Sequence, residues 1–358
     1  EQDTETVQGK PDPDPDGGGD DAALVRRHTS LTGGRVVLMK EVLIISTGGT
    51  IVSVDHGNGA VPDSDAALGI LQRAGEFLRE KGYSYSVEAV FGEAGCDSSD
   101  ISPAEWLTLT QRVNEAVLCG VKKILIIHGT DTMAYTAAWL SLTADQDAAV
   151  VLTGSQRTPG APDFDGESNL HGAARLLCGA ERGVFIHFDG RDYEGAFVHK
   201  EDAEALSAYV STGYGALPRN GIYCALDGKE TEWRAAAAGL SLVTLHPAVL
   251  PRFDLCKILI LAGYGAGNMQ QRLRLQLVES FPEEGRRPLI IAASSCARGR
   301  KNPAFYGGVG IAELAKESFS VFSQGSYSLE FLIALSYLSL LVSPEEPEKI
   351  LQLYLEKF

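Results

Sequence analysis

The stretch Ile44–Ile51, Ile-Ile-Ser-Thr-Gly-Gly-Thr-Ile, decides the fold, because an apolar run there ends directly in a glycine turn. The same unit recurs along the chain as a short apolar run followed by Gly, Ser or Thr. Continuous apolar runs are typical of strands that are covered on both faces, as in a parallel sheet. The predicted strands are Val42–Ser46, Ile124–Ile127, Val150–Leu152, Val184–Phe188, Ile258–Leu261 and Leu289–Ala293.

Helical patterns lie between the predicted strands. Ser102–Glu105 (Ser-Pro-Ala-Glu) combines a capping box with proline at the first helical position, which predicts that a helix begins there. Strands that alternate with helices predict an α/β fold with right-handed crossovers. We therefore expect a parallel-sheet amino-terminal domain of the Rossmann or flavodoxin type and a second, smaller α/β domain.

Composition divides the chain into four parts. Residues 1–38 are predicted to be a disordered acidic leader, because the run Pro11–Gly19 consists of Pro, Asp and Gly and can bury almost nothing. Residues 39–221 form the predicted amino-terminal domain. Residues 222–239 interrupt the strand–helix pattern and are interpreted as an interdomain connection, and 240–358 as the second domain.

Charge and cysteine content exclude several classes of function. The net charge is −16, of which residues 1–21 carry −7 from eight acidic residues and one lysine. An acidic body without a basic stripe argues against nucleic-acid binding. No apolar run approaches the roughly 20 residues of a membrane-spanning helix. The six cysteines contain no CxxC pair, which favours reduced thiols, no metal site and a cytoplasmic location.

Two hydroxyl-rich turns follow predicted strands. In open parallel sheets, ligands bind beyond the carboxyl ends of the strands. The turn Thr47–Thr50 has glycines that allow backbone amides to approach a ligand, and His128–Thr132 adds a carboxylate and two hydroxyls to the same edge. A threonine hydroxyl is a weak nucleophile, so Thr50 would need a proton-accepting partner, for which Thr130, Asp131 and one lysine are candidates.

Each of these residues also has an ordinary interpretation. Thr47–Thr50 alone is a common tight turn or a phosphate-binding loop, although it fits neither GxGxxG nor GxxxxGK[ST]. Asp131 alone is typical of a cap at a strand end, and His128 of a satisfied core residue. Lys200 alone is typical of a solvated surface charge.

Together, the motifs resemble those of the bacterial-type L-asparaginase family, which shares its fold with the amidase component of archaeal tRNA-dependent amidotransferases. Ser46–Ile51 resembles the first active-site motif of that family and Ile127–Thr136 the second. Asp97–Asp100 is similar to the substrate-binding segment of the cytoplasmic, type I branch. Further similar segments are Leu152–Gln156, Asp165-Gly166, Val198–Asp202 around Lys200, and Gly263–Asn268.

The resemblance implies roles for individual residues. The catalytic residues would be Thr50 as nucleophile together with Thr130, Asp131 and Lys200. The implied substrate-binding residues are Gly49, Ser98, Ser99, Thr130, Asp131 and Asn268, the last of which would reach a neighbouring subunit's site. The implied reaction hydrolyses the side-chain amide of L-asparagine through an acyl-threonine, with L-glutamine as an alternative substrate and without metal or cofactor. The expected assembly is a homodimer or homotetramer, with no membrane or nucleic-acid partner.

Three features depart from the family pattern, the first being the acidic leader at residues 1–38, which has no counterpart in the family. The segment after Thr50 often carries a tyrosine near ten residues on, where this chain has Ala60. The first helix of the second domain is expected to be short, because only Ala248–Cys256 separates the two strands that flank it.

Three rival functions stay open from the sequence. Ala60 keeps open a catalytically silent protein that binds asparagine without cleaving it. An amidase subunit of a tRNA-dependent amidotransferase would carry a further β-barrel, for which residues 1–38 are too polar and too short. A nucleotide-binding module is the third.

Overall fold

A computed structural model of the protein describes residues 40–55, 57–218, 230–248, 250–299 and 309–358. The predicted acidic leader, residues 1–38, lies outside these ranges. Residues 40–358 form one compact unit.

The amino-terminal half is built on a six-stranded sheet. Its strands, with two small hairpins, are β1 (Lys40–Ser46), β2 (Ser53–Asp55), β3 (Ala60–Pro62), β4 (Tyr83–Ala89), β5 (Lys123–Ile127), β6 (Ala149–Thr153), β7 (Gly183–Phe188), β8 (Arg191–Glu194), β9 (Val198–Lys200) and β10 (Tyr209–Ser211). The sheet order is β4-β1-β5-β6-β7-β8, in which β8 alone among the described strands of this sheet is antiparallel to its neighbour. The parallel arrangement brings the carboxyl ends of β1, β5 and β6 to one edge.

Helices cover both faces of this sheet. They are α1 (Ser64–Glu80), α2 (Pro103–Leu118), α3 (Met133–Thr143) and α4 (Gly166–Gly179). Successive strand residues alternate between the faces, so that Ile44 packs with α1 and α4 whereas Ile45 packs with α2 and α3. The predicted capping box of Ser102 and Glu105 is confirmed at the start of α2.

The carboxyl-terminal half contains a second, parallel sheet. Its strands are β11 (Leu240–Thr244), β12 (Ile258–Gly263), β13 (Leu289–Ser294) and β14 (Val321–Ser323), in that order. The remaining helices are α5 (Glu230–Ala238), α6 (Gln271–Ser280), α7 (Leu329–Val342) and α8 (Glu348–Leu351). Short 3-10 helices span Thr50–Val52, Ser98–Asp100, Gly195–Phe197, Glu284–Arg286 and Ile311–Glu317. The predicted α/β fold class is confirmed.

The two sheets share one hydrophobic core through α7. This helix is apolar on nearly all sides and packs against α3 and the second sheet in the same cluster of buried residues. The rings of Trp139 on α3 and Tyr337 on α7 lie 6.1 Å apart. Tyr337 also donates a hydrogen bond to the carbonyl oxygen of Trp233, on α5. The range 222–239, interpreted from sequence as a connection, thus includes a helix that packs on α7.

The crossover from β11 to β12 departs from the usual pattern of strand, helix and strand. The sequence predicts a short helix there, and the described residues 245–248 and 250–257 contain no helix at all. Exposed Leu255 lies in this crossover. Within the described ranges, every helix is too short or too polar to span a bilayer.

Candidate active site

The turn after β1 lies against the turn after β5. Gly49 has a φ of 92°, a conformation that favours glycine. A Cβ atom on Gly49 would lie 2.3 Å from the Cα atom of Gly129, so the two turns touch and a larger residue is excluded. This contact brings the turn Thr47–Thr50 beside His128–Thr132 at one edge of the sheet, as the sequence predicts.

Ser98 forms a third wall beside these turns. A Cβ atom on Gly129 would lie 2.6 Å from Ser98 Oγ. The hydroxyl of Thr132 donates to the carbonyl oxygen of Ser98 at 2.7 Å. Ser98 is buried, whereas the neighbouring Ser99 is exposed and its backbone N–H donates to Asp97 Oδ1. Of the two predicted serines, Ser98 is therefore the one enclosed with the turns.

Lys200 connects the two polar side chains of the second turn. Its Nζ donates to Thr130 Oγ1 at 2.9 Å and to Asp131 Oδ1 at 2.6 Å. The Lys200 side chain is 15% exposed and that of Asp131 is 61% exposed. The arrangement gives a cation, a hydroxyl and a carboxylate in direct contact, although Lys200 is distant in sequence from the other two.

Thr50 begins a single 3-10 turn and is half-buried. Among the described residues, its hydroxyl has no hydrogen-bond partner. Because Gly49 contacts Gly129, Thr50 and Thr130 extend from adjoining turns. A threonine hydroxyl without a protein partner is available to attack a bound electrophile once its proton is accepted.

Gln156 and Tyr209 are site residues that sequence reasoning did not assign. Thr130 Oγ1 donates to Gln156 Oε1 at 3.0 Å, and Gln156 Nε2 donates to two carbonyl oxygens of the 203–205 loop. The hydroxyl of Tyr209 donates to the carbonyl oxygen of Thr130 at 2.6 Å. Burial, followed by the charges of Asp131 and Glu330, raises the pKa of Tyr209 well above its usual value, so this donor keeps its proton. The segment Leu152–Gln156 was a sequence signal for Gln156, whereas Tyr209 had none.

A buried carboxylate from α7 lies on the other side of β9. Glu330 Oε1 and His199 Nδ1 are 2.7 Å apart, and the Glu330 side chain is 4% exposed. Its second oxygen, Oε2, has no hydrogen-bond partner among the described residues. Ser328 caps α7 and its N–H donates to the carbonyl oxygen of Ala196, which ties the helix start to the segment before β9. The carboxyl-terminal half therefore supports the strand that carries Lys200.

Asn268 is a predicted site residue for which the described residues show no contact with this centre. Its turn closes on itself, because the backbone N–H groups of Tyr264 and Asn268 each donate to the other residue's carbonyl oxygen. Asn268 Oδ1 is buried and lacks a hydrogen-bond partner among the described residues.

Ala60, at the expected position of a tyrosine, lies in the hairpin of β2 and β3. It is opposite Asp55 in the register and is exposed. The hairpin follows the Thr50 turn directly.

The fold and this site define an α/β protein with two largely parallel sheets, in which hydroxyl and carboxylate groups at one edge of the first sheet meet a lysine from the hairpin of β9 and β10. The model of the family described as "Asparaginase, N-terminal" matches residues 41–231, and the chain belongs to the asparaginase family.

Similar proteins include members of two groups. One group consists of glutamyl-tRNA(Gln) amidotransferase subunits, and the chain is 30% identical over 183 residues to the one from Methanococcus vannielii. That similarity covers 48% of this chain and 41% of the relative, so the chain spans less than half of the relative's length. In the other group, the chain is 27% identical over 285 residues to L-asparaginase 1 of Escherichia coli, covering 75% of this chain and 83% of the relative. The thermostable L-asparaginase from Thermococcus kodakarensis has a similar fold, with a TM-score of 0.67, 24% identity, and coverage of 87% of this chain and 96% of that one.

Proposed function

We propose that this protein is an L-asparaginase that hydrolyses the side-chain amide of L-asparagine to L-aspartate and ammonia. The observation that carries the proposal is the contact of Lys200 Nζ with Thr130 Oγ1 and Asp131 Oδ1, beside the turn that presents Thr50. Family membership and the similarity to L-asparaginase 1 support the same reaction.

The reaction begins at Thr50. Its Oγ forms a bond to the amide carbon of the substrate, and its proton passes toward the group of Thr130, Lys200 and Asp131. Lysine acts as a base only in its neutral form, which requires a closed site that disfavours the charged form. Backbone amides of the turns that carry Thr50 and Thr130 stabilise the negative oxygen of the intermediate.

Breaking the C–N bond, with proton transfer to the leaving nitrogen, releases ammonia and leaves an acyl-threonine. A water molecule then attacks the ester, and Thr50 recovers its proton as aspartate leaves. In this scheme Asp131, which is exposed enough to meet a ligand, accepts the α-ammonium of the substrate. Ser98, at the wall of the site, holds the α-carboxylate.

A further part of the proposal concerns assembly and location. We propose a homodimer or homotetramer, supported by the Oδ1 of Asn268, a buried oxygen that has no hydrogen-bond partner among the described residues. The five described cysteines are free thiols, which supports a cytoplasmic location. Light scattering coupled to gel filtration tests the assembly, and an active species with the mass of one 38.2 kDa chain would contradict it.

Ammonia release by the purified protein tests the reaction, with L-asparagine, L-glutamine and D-asparagine compared at equal concentration. We expect L-asparagine to give the highest kcat/KM. Glutamine is longer than asparagine by one methylene group, which changes the transition-state binding free energy by only about 1–3 kcal/mol. Of the three substrates, glutamine therefore tests the specificity for asparagine most strictly. Absence of ammonia release from all three substrates would reject the proposal.

A second candidate is the amidase subunit of a tRNA-dependent amidotransferase. It is favoured by the similarity to the glutamyl-tRNA(Gln) amidotransferase component of Methanococcus vannielii, which covers about half of this chain. Under that alternative the isolated protein would release little ammonia from free asparagine. The substrate comparison above therefore separates the two functions.

A further inference from the structure

His128, which the proposed mechanism does not use, lies at the centre of a chain of hydrogen bonds that ends at Gly129, in the turn His128–Thr132. It is fully buried directly after β5. Its Nδ1 is 2.7 Å from the carbonyl oxygen of Gly129, and its Nε2 is 2.9 Å from Thr136 Oγ1. The indole N–H of Trp106 donates to the same hydroxyl at 3.2 Å. The chain thus runs from α2 through α3 to the turn.

The direction of each hydrogen bond in this chain follows from its partners. A carbonyl oxygen only accepts, so His128 Nδ1 carries the proton that is donated to Gly129. Burial lowers the pKa of His128 to about 4, which keeps the ring neutral and leaves a lone pair on Nε2. Thr136 Oγ1 accepts from Trp106 and donates its own proton to that lone pair. One tautomer of His128 therefore satisfies every group in the chain.

The hydrogen bond to Gly129 has a consequence for Thr130. The peptide between them is planar and trans, so its N–H points away from the carbonyl oxygen that faces His128. The Thr130 hydroxyl and carbonyl oxygen are both occupied, by Lys200 and by Tyr209. Its N–H, in contrast, has no acceptor among the described residues, and the neighbouring Gly129 backbone adjoins Gly49 in the turn that carries Thr50.

We propose that His128, as the Nδ1–H tautomer fixed by Thr136 and Trp106, is a positioning residue that aims the Thr130 N–H at the developing oxyanion. The inference rests on the proposed amide hydrolysis, because the oxyanion belongs to that reaction. It deepens the proposal by assigning the orientation of one oxyanion donor to a buried side chain that does not touch the substrate.

Two substitutions of His128 separate positioning from simple packing. In His128→Asn, the amide nitrogen occupies nearly the place of Nδ1 and still donates to Gly129. In His128→Gln, the amide reaches Thr136 but loses the donor to Gly129. We expect His128→Gln to lower kcat by about tenfold to a hundredfold with little change in KM, since misdirecting one oxyanion donor acts on the transition state. His128→Asn should be at least about fivefold more active than His128→Gln. Equal losses of kcat in both variants would overturn the proposal.

A pair of threonines on α3 provides a test that leaves His128 in place. Thr136→Val removes the hydroxyl that fixes the tautomer. Thr143→Val makes the same change at another fully buried threonine of that helix, whose hydroxyl bonds to Trp139 and Thr110. We expect Thr136→Val to lower kcat by about fivefold or more and Thr143→Val to leave kcat unchanged. Equal kcat values in the two variants would contradict the inference.

Nitrogen-15 NMR of the wild-type protein reads the tautomer without any substrate. At pH 7 we expect the His128 signal, which is assigned by its loss in His128→Asn, to show a protonated Nδ1 and a bare Nε2, and in Thr136→Val that signal should lose its single-tautomer character. A protonated Nε2 at His128 in the wild type would overturn the proposal even if the protein folds and hydrolyses asparagine. If the wild type releases no ammonia, the proposed function fails, and the tautomer still decides whether His128 orients the turn.

Discussion

A glycine turn follows a parallel strand in each of the two sheets, and the chain holds the two turns differently. The turn Thr47–Thr50 touches a neighbouring turn through Gly49 and Gly129, and Ser98 closes a third side. The turn Tyr264–Asn268 closes through two backbone hydrogen bonds between its end residues and leaves Asn268 Oδ1 buried without a partner among the described residues. The first turn therefore contacts other candidate site residues of the same chain, whereas the turn Tyr264–Asn268 holds a polar atom without a partner among the described residues.

The largest expected effect is at the first turn. Thr50→Ala removes the proposed nucleophile, and we expect kcat for asparagine to fall by at least about 10⁴-fold while folding is retained. Thr50→Ser, which keeps a hydroxyl, should retain much more activity. Ammonia release measures both variants, and turnover near the wild-type level in Thr50→Ala would show that the hydroxyl is not the nucleophile.

The next effect concerns Lys200, which bonds to two side chains of the turn His128–Thr132. Lys200→Met removes the donor to Thr130 and Asp131, and we expect kcat to fall by about 10²- to 10⁴-fold, the range for a lost proton-transfer group. Lys122→Met is the matched control, since Lys122 forms an exposed ion pair with Asp147 away from the turns. A similar small change in both variants would mean that Lys200 has no part in proton transfer.

Because His128 is buried, the stability of the protein depends on pH. The pKa of His128 is about 4 in the folded protein and near its ordinary value of 6.5 when unfolded. The unfolded chain therefore binds more protons between these values, and the free energy of unfolding decreases as the pH is lowered from 6.5 to 4. The expected loss from this group is about 3 kcal/mol, and it is absent above pH 6.5.

Urea unfolding at pH 7 and pH 4 measures this loss. The contribution of His128 is the difference between the wild type and His128→Asn in the free energy of unfolding that is lost between pH 7 and pH 4. His171→Asn, at an exposed histidine on α4, is the control and should keep the wild-type dependence. Identical pH dependence in the wild type and His128→Asn would contradict the burial of a neutral ring.

The smallest effect is expected at the turn Tyr264–Asn268. Asn268→Ala removes the unpartnered amide oxygen, so we expect the stability of the single chain to change by less than about 1 kcal/mol. If Asn268 completes a partner's site, kcat/KM should fall by about tenfold. Gln276→Ala is the control, because Gln276 also has an unpartnered buried oxygen in the same half. Wild-type kcat/KM in Asn268→Ala would show that the turn Tyr264–Asn268 has no part in the reaction.

The two turns also show what a sequence can predict here. The strands that precede both turns were predicted from their apolar runs, because the fully covered sheet leaves a strong local pattern. The placement of Lys200 was suggested only by its family motif, and the contact itself spans 69 residues. The pairing of His199 with Glu330 spans 131 residues. No local periodicity encodes the register that brings such residues together.

α7 illustrates the same limit for a whole element. Its sequence is apolar on nearly all sides, so it lacks the one-sided stripe that marks a surface helix. The helix has this composition because both halves of the molecule bury it. Glu330 is an exception within it, and its contact with His199 depends on the packing of α7 against β9.

The shared helix has a consequence for biosynthesis. α7 follows every described strand in sequence, yet it covers α3 and completes the core of the first sheet. A ribosome adds about 5–20 residues per second, so the nascent chain keeps the apolar face of α3 uncovered for about 10–40 seconds before α7 is made. Throughout that interval the growing polypeptide is a substrate for chaperones and for aggregation, and the edge of the first sheet that carries the two touching turns cannot mature until α7 is made.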